Sequence, residues 1–496
     1  MLMTKHSALA ALVLGLAALP ALAQAKTEIS IGLQQEPTSL DPTADATASI
    51  DGMLAQNVYE SLAIVTEQGE VLPNLAAGWD VSEDGLTYTF TLREGVRFHD
   101  GTAFDAEDVK FSFDRAMAED SVNPSKGIFE PIDSVTVVDP LTVEITLGRP
   151  DGFFLFNLAQ GDASIVAPES VETNATTPVG TGPFRFDGWT RGDRLTLTKN
   201  PDWRDANSVA MERISFRFIS EPAAATAAML AGELDAFPGF PAPELLPQFE
   251  ADPRFTVVQG STEGEVILAM NNSRAPLSDR TVRRAVSHAL DRAEIIEGAM
   301  YGRAEPIGSF FPPHHVSYVD LTGTYPHDIE RARALREEAG LAEGTELVLR
   351  VPPFPYATRS GEIVQAQLAK AGFQVKLENV EWGFWLDEVY RNLNYDLTII
   401  AHTSPNDLSN FSRGPEYFYG YASPEFDALW AEIRTEADPE RRDALLKDAQ
   451  RFVTEDAVHG FLFQLPKLGV YRNEVQGFWA SSPVLYQPLA GVTWTN

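Results

Sequence analysis

The chain has 496 residues, no cysteine and a formal net charge of −33, from 38 basic and 71 acidic residues. This length allows about two to four domains of ordinary size. The absence of cysteine excludes disulfides and thiolate chemistry. The excess of acidic residues argues against nucleic acid and anionic membranes as partners, because both are bound by basic surfaces.

The first 25 residues have the pattern of a secretory signal peptide. Lys5 precedes an apolar run at 8–19, and the small residues after Pro20 fit an A-x-A cleavage pattern. The run is too short to span a bilayer, and no cysteine follows it that could carry a lipid. We therefore predict export to the bacterial periplasm as a protein that is not a lipoprotein.

Strict alternation of apolar and polar residues predicts strands in the first half of the chain. The clearest examples lie at 86–92, 141–147 and 214–218, and shorter ones surround Phe184 and Leu195. Up to about residue 220 the chain is therefore expected to be mainly sheet and turn.

The apolar period changes to three and four after residue 270, which predicts helices. One runs from 282 to 300 with Ser278 as its cap, another covers 329–339, and a third begins at 439. Between them the sequence predicts strands at 347–351, 374–377 and 396–401. This order is typical of a βαβ lobe with a partly parallel sheet.

Sequence motifs of common enzymes are absent. The chain has no H-E-x-x-H, no G-x-S-x-G and no phosphate-binding loop. Gly180-Thr-Gly182 begins like a dinucleotide loop, but Arg185 stands where a third glycine is required. We therefore predict no enzymatic activity, no catalytic residue, no resident metal and no cofactor, with a periplasmic hydrolase as a remote alternative.

Several segments of the chain are specific when they are taken together. The most specific is 79–101, which starts at Trp79 and ends at Gly101. The others are 36–42, 57–62, 104–109, 180–184, 200–203, 232–235 and 282–292. Together they resemble the family 5 extracytoplasmic solute-binding proteins, the peptide and nickel class that serves ABC importers. The resemblance runs from about residue 28 to the C-terminus.

This resemblance implies an α/β fold of the type II periplasmic binding protein kind, with two α/β lobes joined by a hinge and an extra domain on the first lobe. It places lobe I at 26–60, 177–270 and 470–496, the extra domain at 61–176, and lobe II at 271–469. Gly180-Thr-Gly-Pro is expected to be a tight backbone passage between the lobes. A ligand that contacts both lobes would stabilise their closed arrangement.

In peptide-binding relatives, an acidic residue a few positions after a Tyr-Asp strand pairs with the α-amine of the ligand. An arginine ahead of the preceding helix takes the carboxylate. The matching stretch begins at Tyr395 and puts His402 at the usual tryptophan position and Pro405 at the acidic position, with Asp407 two residues later. The peptide pattern is therefore broken there, and the Pro-x-Asp spacing resembles the nickel-complex branch somewhat better.

The candidate ligand contacts are residues that offer a guanidinium, an acid, a histidine or an aromatic face near these positions. An arginine can hold a carboxylate through two N–H bonds, ligand clefts are lined with aromatic rings, and α/β proteins bind ligands at the carboxyl ends of strands. The set consists of Arg359, Trp382, Trp385, His402, Asp407, Tyr356 and Phe411. The aromatic segment 410–421 is expected either to cover the cleft or to pack against its own lobe.

The sequence therefore predicts the periplasmic solute-binding component of an ABC importer. Its ligand would be a peptide, an opine-like compound or a modified amino acid, and its partners the permease subunits in the inner membrane. We expect a monomer. A nickel or other metal chelate, or an oligosaccharide, remains open as the ligand, and a chaperone or signalling role remains open for the fold.

Overall fold

The computed structural model describes residues 26–403, 407–436 and 438–495. The predicted signal peptide, residues 1–25, and Pro405 lie outside these ranges. Within them, no helix has both the length and the apolar character that a membrane span requires. Three main sheets organise the fold, and we call them the first-lobe sheet, the second-lobe sheet and the small sheet.

The first-lobe sheet has seven strands, and its core strand Glu28–Leu33 runs parallel to two neighbours. Ile214 and Phe216, which were predicted from their alternation, are buried on one of those neighbours. In spatial order the strands are Phe255–Gly260, Lys467–Arg472, Ala236–Phe237, Glu28–Leu33, Arg213–Phe218, Arg194–Lys199 and Phe184–Thr190.

The second-lobe sheet has six strands and is partly parallel. Thr345–Val351 pairs in parallel with strands on both of its sides, and the helix Pro355–Lys370 follows it directly. The predicted βαβ arrangement is therefore confirmed. In spatial order the strands are Glu305–Pro306, His459–Gln464, Glu265–Met270, Leu397–His402, Thr345–Val351 and Phe373–Asn379.

The small sheet is antiparallel and lies between the strands of the first lobe in sequence. The two strictly alternating segments form its inner strands, and they bury every second side chain against the helix Ala106–Met117. In spatial order its strands are Ala76–Val81, Thr87–Leu92, Thr142–Leu147 and Ile132–Asp139. Two further strand pairs are Ala63–Val65 with Val71–Pro73, and Val475–Gln476 with Thr493–Trp494.

The chain passes between the two large sheets at 261–264 and again at 465–466. These segments are hydrogen-bonded to each other: the Leu465 N–H donates to the Gly264 carbonyl at 2.7 Å. Paired crossings of this kind are what a hinge between two lobes requires. The predicted domain bounds stay a prediction, and the strand Lys467–Arg472 enters the first-lobe sheet three residues before the predicted boundary at 470.

Helices cover the outer faces of the sheets. The α-helices in the described ranges are Ala48–Leu54, Ala106–Met117, Phe154–Asn157, Pro222–Ala231, Leu246–Glu250, Arg280–Ala289, Arg292–Met300, Ile329–Glu338, Pro355–Lys370, Trp382–Phe384, Pro424–Thr435 and Pro439–Glu455. Trp385–Arg391 is a π-helix. The 3-10 turns are Lys126–Phe129, Gly161–Ala163, Val171–Thr173, Ala206–Ser208, Pro243–Leu245 and Asp407–Ser412.

The helix predicted at 282–300 is two helices, because a second cap lies inside its apolar pattern. The Asp291 carboxylate accepts from the Glu294 N–H at 3.1 Å and starts the second helix. The cap of the first helix is Asp279, which accepts from the Thr281 N–H at 2.7 Å, so the assignment to Ser278 was wrong by one residue. The helices predicted at 329–339 and from 439 are confirmed.

The tight passage at Gly180-Thr-Gly182 lies within the first lobe and against the extra domain. A Cβ on Gly180 would stand 2.1 Å from the carbonyl oxygen of Val58. On the side of the extra domain, the backbone N–H of His99 donates to the Gly180 carbonyl at 2.8 Å. The prediction of close backbone approach is confirmed, whereas its placement between the two lobes was wrong.

His99 makes this passage sensitive to acid. Its Nδ1 accepts from the Gly180 N–H at 3.3 Å, and its Nε2 donates to the Gly182 carbonyl at 3.0 Å, which requires the neutral ring. Burial lowers the pKa of His99 to about 4. Because the unfolded ring takes up a proton near pH 6.5 and the folded ring only near 4, this group's contribution to stability is complete above 6.5 and lost toward 4.

We therefore expect the free energy of unfolding to fall by about 2–3 kcal/mol between pH 6.5 and 4 through His99 alone. Denaturant unfolding of wild type and His99→Asn across this range measures the contribution, because the variant should lose less stability than the wild type. His327→Asn is the matched control, since His327 is exposed. Parallel stability curves for wild type and His99→Asn would contradict the assignment.

Candidate functional site

The site is built around the carboxyl end of the strand Leu397–His402. This strand lies inside the second-lobe sheet, with Glu265–Met270 on one side and Thr345–Val351 on the other. Its first four residues are buried, which fits a strand covered on both faces. The strand therefore holds the residues at its end, His402 above all, in a fixed position.

His402 is held from three directions. Its Nδ1 donates to the Asp407 carboxylate at 3.2 Å, and its Nε2 accepts from the Tyr419 hydroxyl at 2.8 Å. The ring also stacks on Phe418, with centroids 5.8 Å apart and planes at 11°. A neutral imidazole with its proton on Nδ1 satisfies both hydrogen bonds. His402 thereby fixes the Asp407 carboxylate at the strand end.

Buried titratable groups lie beside this pair. Glu265 faces His402 across the strand pairing and is 2% exposed, and one of its carboxylate oxygens has no hydrogen-bond partner among the described residues. Burial raises the pKa of Glu265 well above its usual value, and the charges of Asp407 and Glu263 raise it further. Burial likewise lowers the pKa of His459. Three carboxyl groups, those of Glu263, Glu265 and Asp407, therefore lie close together at this strand end.

An aromatic stack covers the same strand. The rings of Phe354 and Tyr356 are parallel with centroids 5.8 Å apart, and those of Trp382 and Trp385 are parallel at 5.1 Å. Phe354 joins the two pairs through its contact with Trp382 at 5.3 Å. The Tyr356 hydroxyl accepts from the Ala401 N–H at 3.1 Å, which anchors the stack one residue before His402.

Arg359 lies one helical turn after Tyr356, on the same face of the helix Pro355–Lys370. Its two terminal nitrogens donate to the two oxygens of Glu244, at 3.0 and 2.6 Å. Glu244 belongs to the first lobe, in the 3-10 turn Pro243–Leu245. The arginine predicted to take a ligand carboxylate is therefore paired with a carboxylate of the opposite lobe.

Of the seven predicted residues, all but Arg359 are connected through direct contacts or one shared neighbour. Arg359 lies one turn after Tyr356 on the helix Pro355–Lys370. Trp385 is 3% exposed and donates through its indole to Thr398 at 3.0 Å. Phe411 is 1% exposed among aromatic rings. Neither offers a surface to a ligand in this arrangement, whereas the other five keep some exposed area. The aromatic segment 410–421 packs against its own lobe.

Sequence reasoning missed Glu244, Glu265 and Tyr419. Glu265 carries a readable signal, because it is an acid at the start of the otherwise apolar run Glu265–Met270. Tyr419 lay inside the aromatic segment but was not singled out. Glu244 gives no local signal, since its partner is 115 residues away.

Two cavities lie away from this strand end. One of about 330 Å³ lies between the small sheet and the first lobe and is lined in part by Arg93, Arg97 and Arg204. The other, of about 420 Å³, lies on the second lobe beside Leu290 and Ile296. Neither is lined by a predicted ligand residue. In the described ranges, no three histidine, aspartate or glutamate side chains are grouped so that they could hold a metal ion.

The two-lobe fold with a paired hinge and residues gathered at a strand end defines a type II periplasmic binding protein. Residues 70–426 match the bacterial extracellular solute-binding proteins, family 5 Middle. Di/tripeptide-binding protein 4 of Pseudomonas aeruginosa is 32% identical to this chain over 88% of each sequence. The chain therefore belongs to family 5 of the extracellular solute-binding proteins, as its sequence motifs predicted.

Solved structures agree with this assignment. The periplasmic binding protein DppA from Helicobacter pylori, in complex with the peptide STSA, is 26% identical, with a TM-score of 0.85 over 95% of this chain and 98% of that one. MoaA from A.tumefacien R10, in complex with mannopinic acid, is 25% identical, with a TM-score of 0.85 over 95% and 100%. The protein is a solute-binding component of an ABC importer, and its relatives support a periplasmic location.

Proposed function

We propose that this protein captures a small solute that carries both an amine and a carboxylate, and delivers it to permease subunits in the inner membrane. Short peptides, opine-like compounds and modified amino acids are the solute classes that fit. The observation that carries this function is the placement of an acid and a guanidinium around one strand end. Asp407 is held there by His402 at 3.2 Å, and Arg359 is one turn from Tyr356, which binds the same strand.

Each polar residue has a separate role in this proposal. Asp407 accepts from the ligand amine, while His402 keeps its carboxylate in place. Arg359 holds the ligand carboxylate through two N–H bonds. Trp382 and Tyr356 supply flat apolar faces for the remainder of the ligand. Trp385 and Phe411 support these contacts from the core and do not touch the ligand.

The names of relatives support these solute classes. One relative is named for di- and tripeptides, one solved neighbour holds a peptide, and another holds mannopinic acid. We further propose that residues 1–25 direct export without a lipid anchor, that the protein acts as a monomer, and that it does not turn over its ligand.

Mass spectrometry of the intact protein purified from periplasm is the first test. Denaturation then releases any bound solute, which is identified by its mass together with any metal. A peptide or an opine-like compound supports the proposed function. A metal with an organic chelator, or a sugar, would replace it with one of the two alternative ligands. If the purified protein holds no solute, it is titrated with members of each solute class. The proposal is overturned if none of them binds.

Replacing Asp407 with asparagine should lower the affinity for a dipeptide by about 10- to 100-fold, because the ligand ammonium loses a charge-assisted hydrogen bond. Calorimetric titration with the dipeptide Met-Leu and with its N-acetylated form measures the effect, which should be confined to the free amine. Asp114→Asn is the matched control, since Asp114 is exposed and pairs with Lys110 on the extra domain. An equal loss for both ligands would show that Asp407 does not recognise the amine.

A further inference from the structure

The ion pair between Arg359 and Glu244 has the geometry with which an arginine binds a ligand carboxylate. Two N–H···O bonds, at 3.0 and 2.6 Å, join the two terminal nitrogens of the guanidinium to both oxygens of the carboxylate. The Arg359 side chain is 26% exposed and the Glu244 side chain 24%, so the pair is largely shielded from water. Glu244 thus fills the place at Arg359 where a ligand carboxylate would bind.

The segment that carries Glu244 belongs to the ligand-facing edge of the first lobe. It begins near Gly239, whose carbonyl accepts from the Gln34 side chain at 3.4 Å. Gln34 directly follows the strand Glu28–Leu33, so this is the carboxyl edge of the core strand, where α/β proteins bind ligands. Leu246 and Phe249 are buried and anchor the segment after Glu244. The position of the carboxylate is therefore fixed by the first lobe.

A second ion pair joins the same two lobes without involving Arg359. Arg303 of the second lobe donates to Glu250 of the first at 2.9 Å, and its backbone carbonyl accepts from the Gln259 side chain. Glu250 therefore offers a comparison, because its loss also removes one acidic partner between the lobes. Replacing Glu250 leaves the pair between Arg359 and Glu244 unchanged.

We propose that Glu244 is a specificity-determining residue that competes with the ligand carboxylate for Arg359. This inference rests on the proposed function and deepens it. One guanidinium fork holds one carboxylate in two-bond geometry, so a ligand carboxylate must displace Glu244 before it can bind. A ligand without a carboxylate leaves the pair intact. Glu244 thus lowers the affinity for carboxylate ligands relative to their neutral analogues.

The test compares Met-Leu with its C-terminal amide, by calorimetry, on wild type and Glu244→Gln. The substitution keeps the shape of the side chain and removes its charge. We expect Glu244→Gln to bind Met-Leu at least 10-fold more tightly than wild type does, or to bind it where wild type does not, with the amide unchanged. Glu250→Gln is the matched control and should change neither affinity. Glu244→Asp, which keeps the charge, should stay closer to wild type than Glu244→Gln.

Two results would overturn the inference: an unchanged ratio of Met-Leu to amide affinity, or no binding of Met-Leu to Glu244→Gln at millimolar concentration. An equal loss for both would mean that the pair only holds the lobes together. Thermal unfolding of the unliganded variant verifies that it is folded. The proposed function is tested separately on the wild-type protein. It fails if mass spectrometry releases no solute with an amine and a carboxylate, and calorimetry detects no binding of one.

Discussion

Replacing Arg204 with methionine is expected to lower the free energy of unfolding by about 3–5 kcal/mol, because the change leaves the Glu60 carboxylate buried without its cation. Glu60 is 2% exposed. Arg204 reaches its two oxygens at 2.7 and 3.0 Å, and the Thr181 hydroxyl donates to the same group at 3.0 Å. A hydroxyl alone does not replace a bidentate guanidinium as a partner of a buried charge.

The same arginine also joins two parts of the fold. It donates to the Asn74 side chain at 2.6 Å, just before the small sheet begins, while Arg204 itself follows a strand of the first-lobe sheet. Its loss is therefore expected to weaken the attachment of the extra domain as well.

Denaturant unfolding measures the effect, with Arg213→Met as the control. Arg213 pairs with Asp187 at 2.6 Å, but both side chains are about two-fifths exposed, so its replacement should cost less than about 1 kcal/mol. A cost below about 1 kcal/mol for Arg204→Met as well would mean that the carboxylate of Glu60 does not depend on its cation.

Local sequence patterns predicted much of the fold because they reflect which side chains of a strand or helix are buried. The alternation at 86–92 and 141–147 became two adjacent strands, since one face of each is buried and the other is not. The helical period at 282–300 was also correct, but it ran through a break between Ala289 and Arg292. An apolar stripe can continue across two helices that pack on the same core, so periodicity alone does not locate the break.

The candidate site was predictable where it depends on one strand and not where it depends on how elements meet. His402 and Asp407 follow a recognisable strand, and the structure joins them directly. Trp382 and Trp385 have equivalent sequence signals and their rings stack, yet only Trp385 is buried, because it is the ring that reaches the second-lobe sheet and donates to Thr398. The partner of Arg359 could not be foreseen, since Glu244 reaches it only when the two lobes are in place.

Two ion pairs, one in the frame and one in the candidate site, show why the fold was easier to predict than the ligand contacts. Glu60 lies in the resembling segment 57–62, its partner Arg204 directly follows the segment 200–203, and the pair joins two parts of the frame. Glu244 with Arg359 joins the two lobes, and it involves the guanidinium that we propose for a ligand carboxylate. A family resemblance therefore identifies the frame more readily than the solute.

Replacing Gly180 with alanine is expected to destabilise the protein by about 3 kcal/mol, because a methyl group has no room there. Its Cβ would stand 2.1 Å from the Val58 oxygen and 2.9 Å from the Tyr59 Cα, and both are backbone atoms that cannot rotate away. The Val58 carbonyl is also held by the Gly182 N–H at 2.9 Å, so moving it would break a further hydrogen bond.

Gly188→Ala is the matched control, since Gly188 lies on the strand that follows, and no atom stands within 4 Å of the position that its methyl group would take. Its unfolding midpoint should stay close to wild type, while that of Gly180→Ala falls. Equal midpoints for the two variants would mean that the segments 57–59 and 180–182 can separate without cost. Because His99 binds the same segment, the Gly180→Ala protein should also lose part of its acid sensitivity between pH 6.5 and 4, which links the packing of this passage to the titration of its histidine.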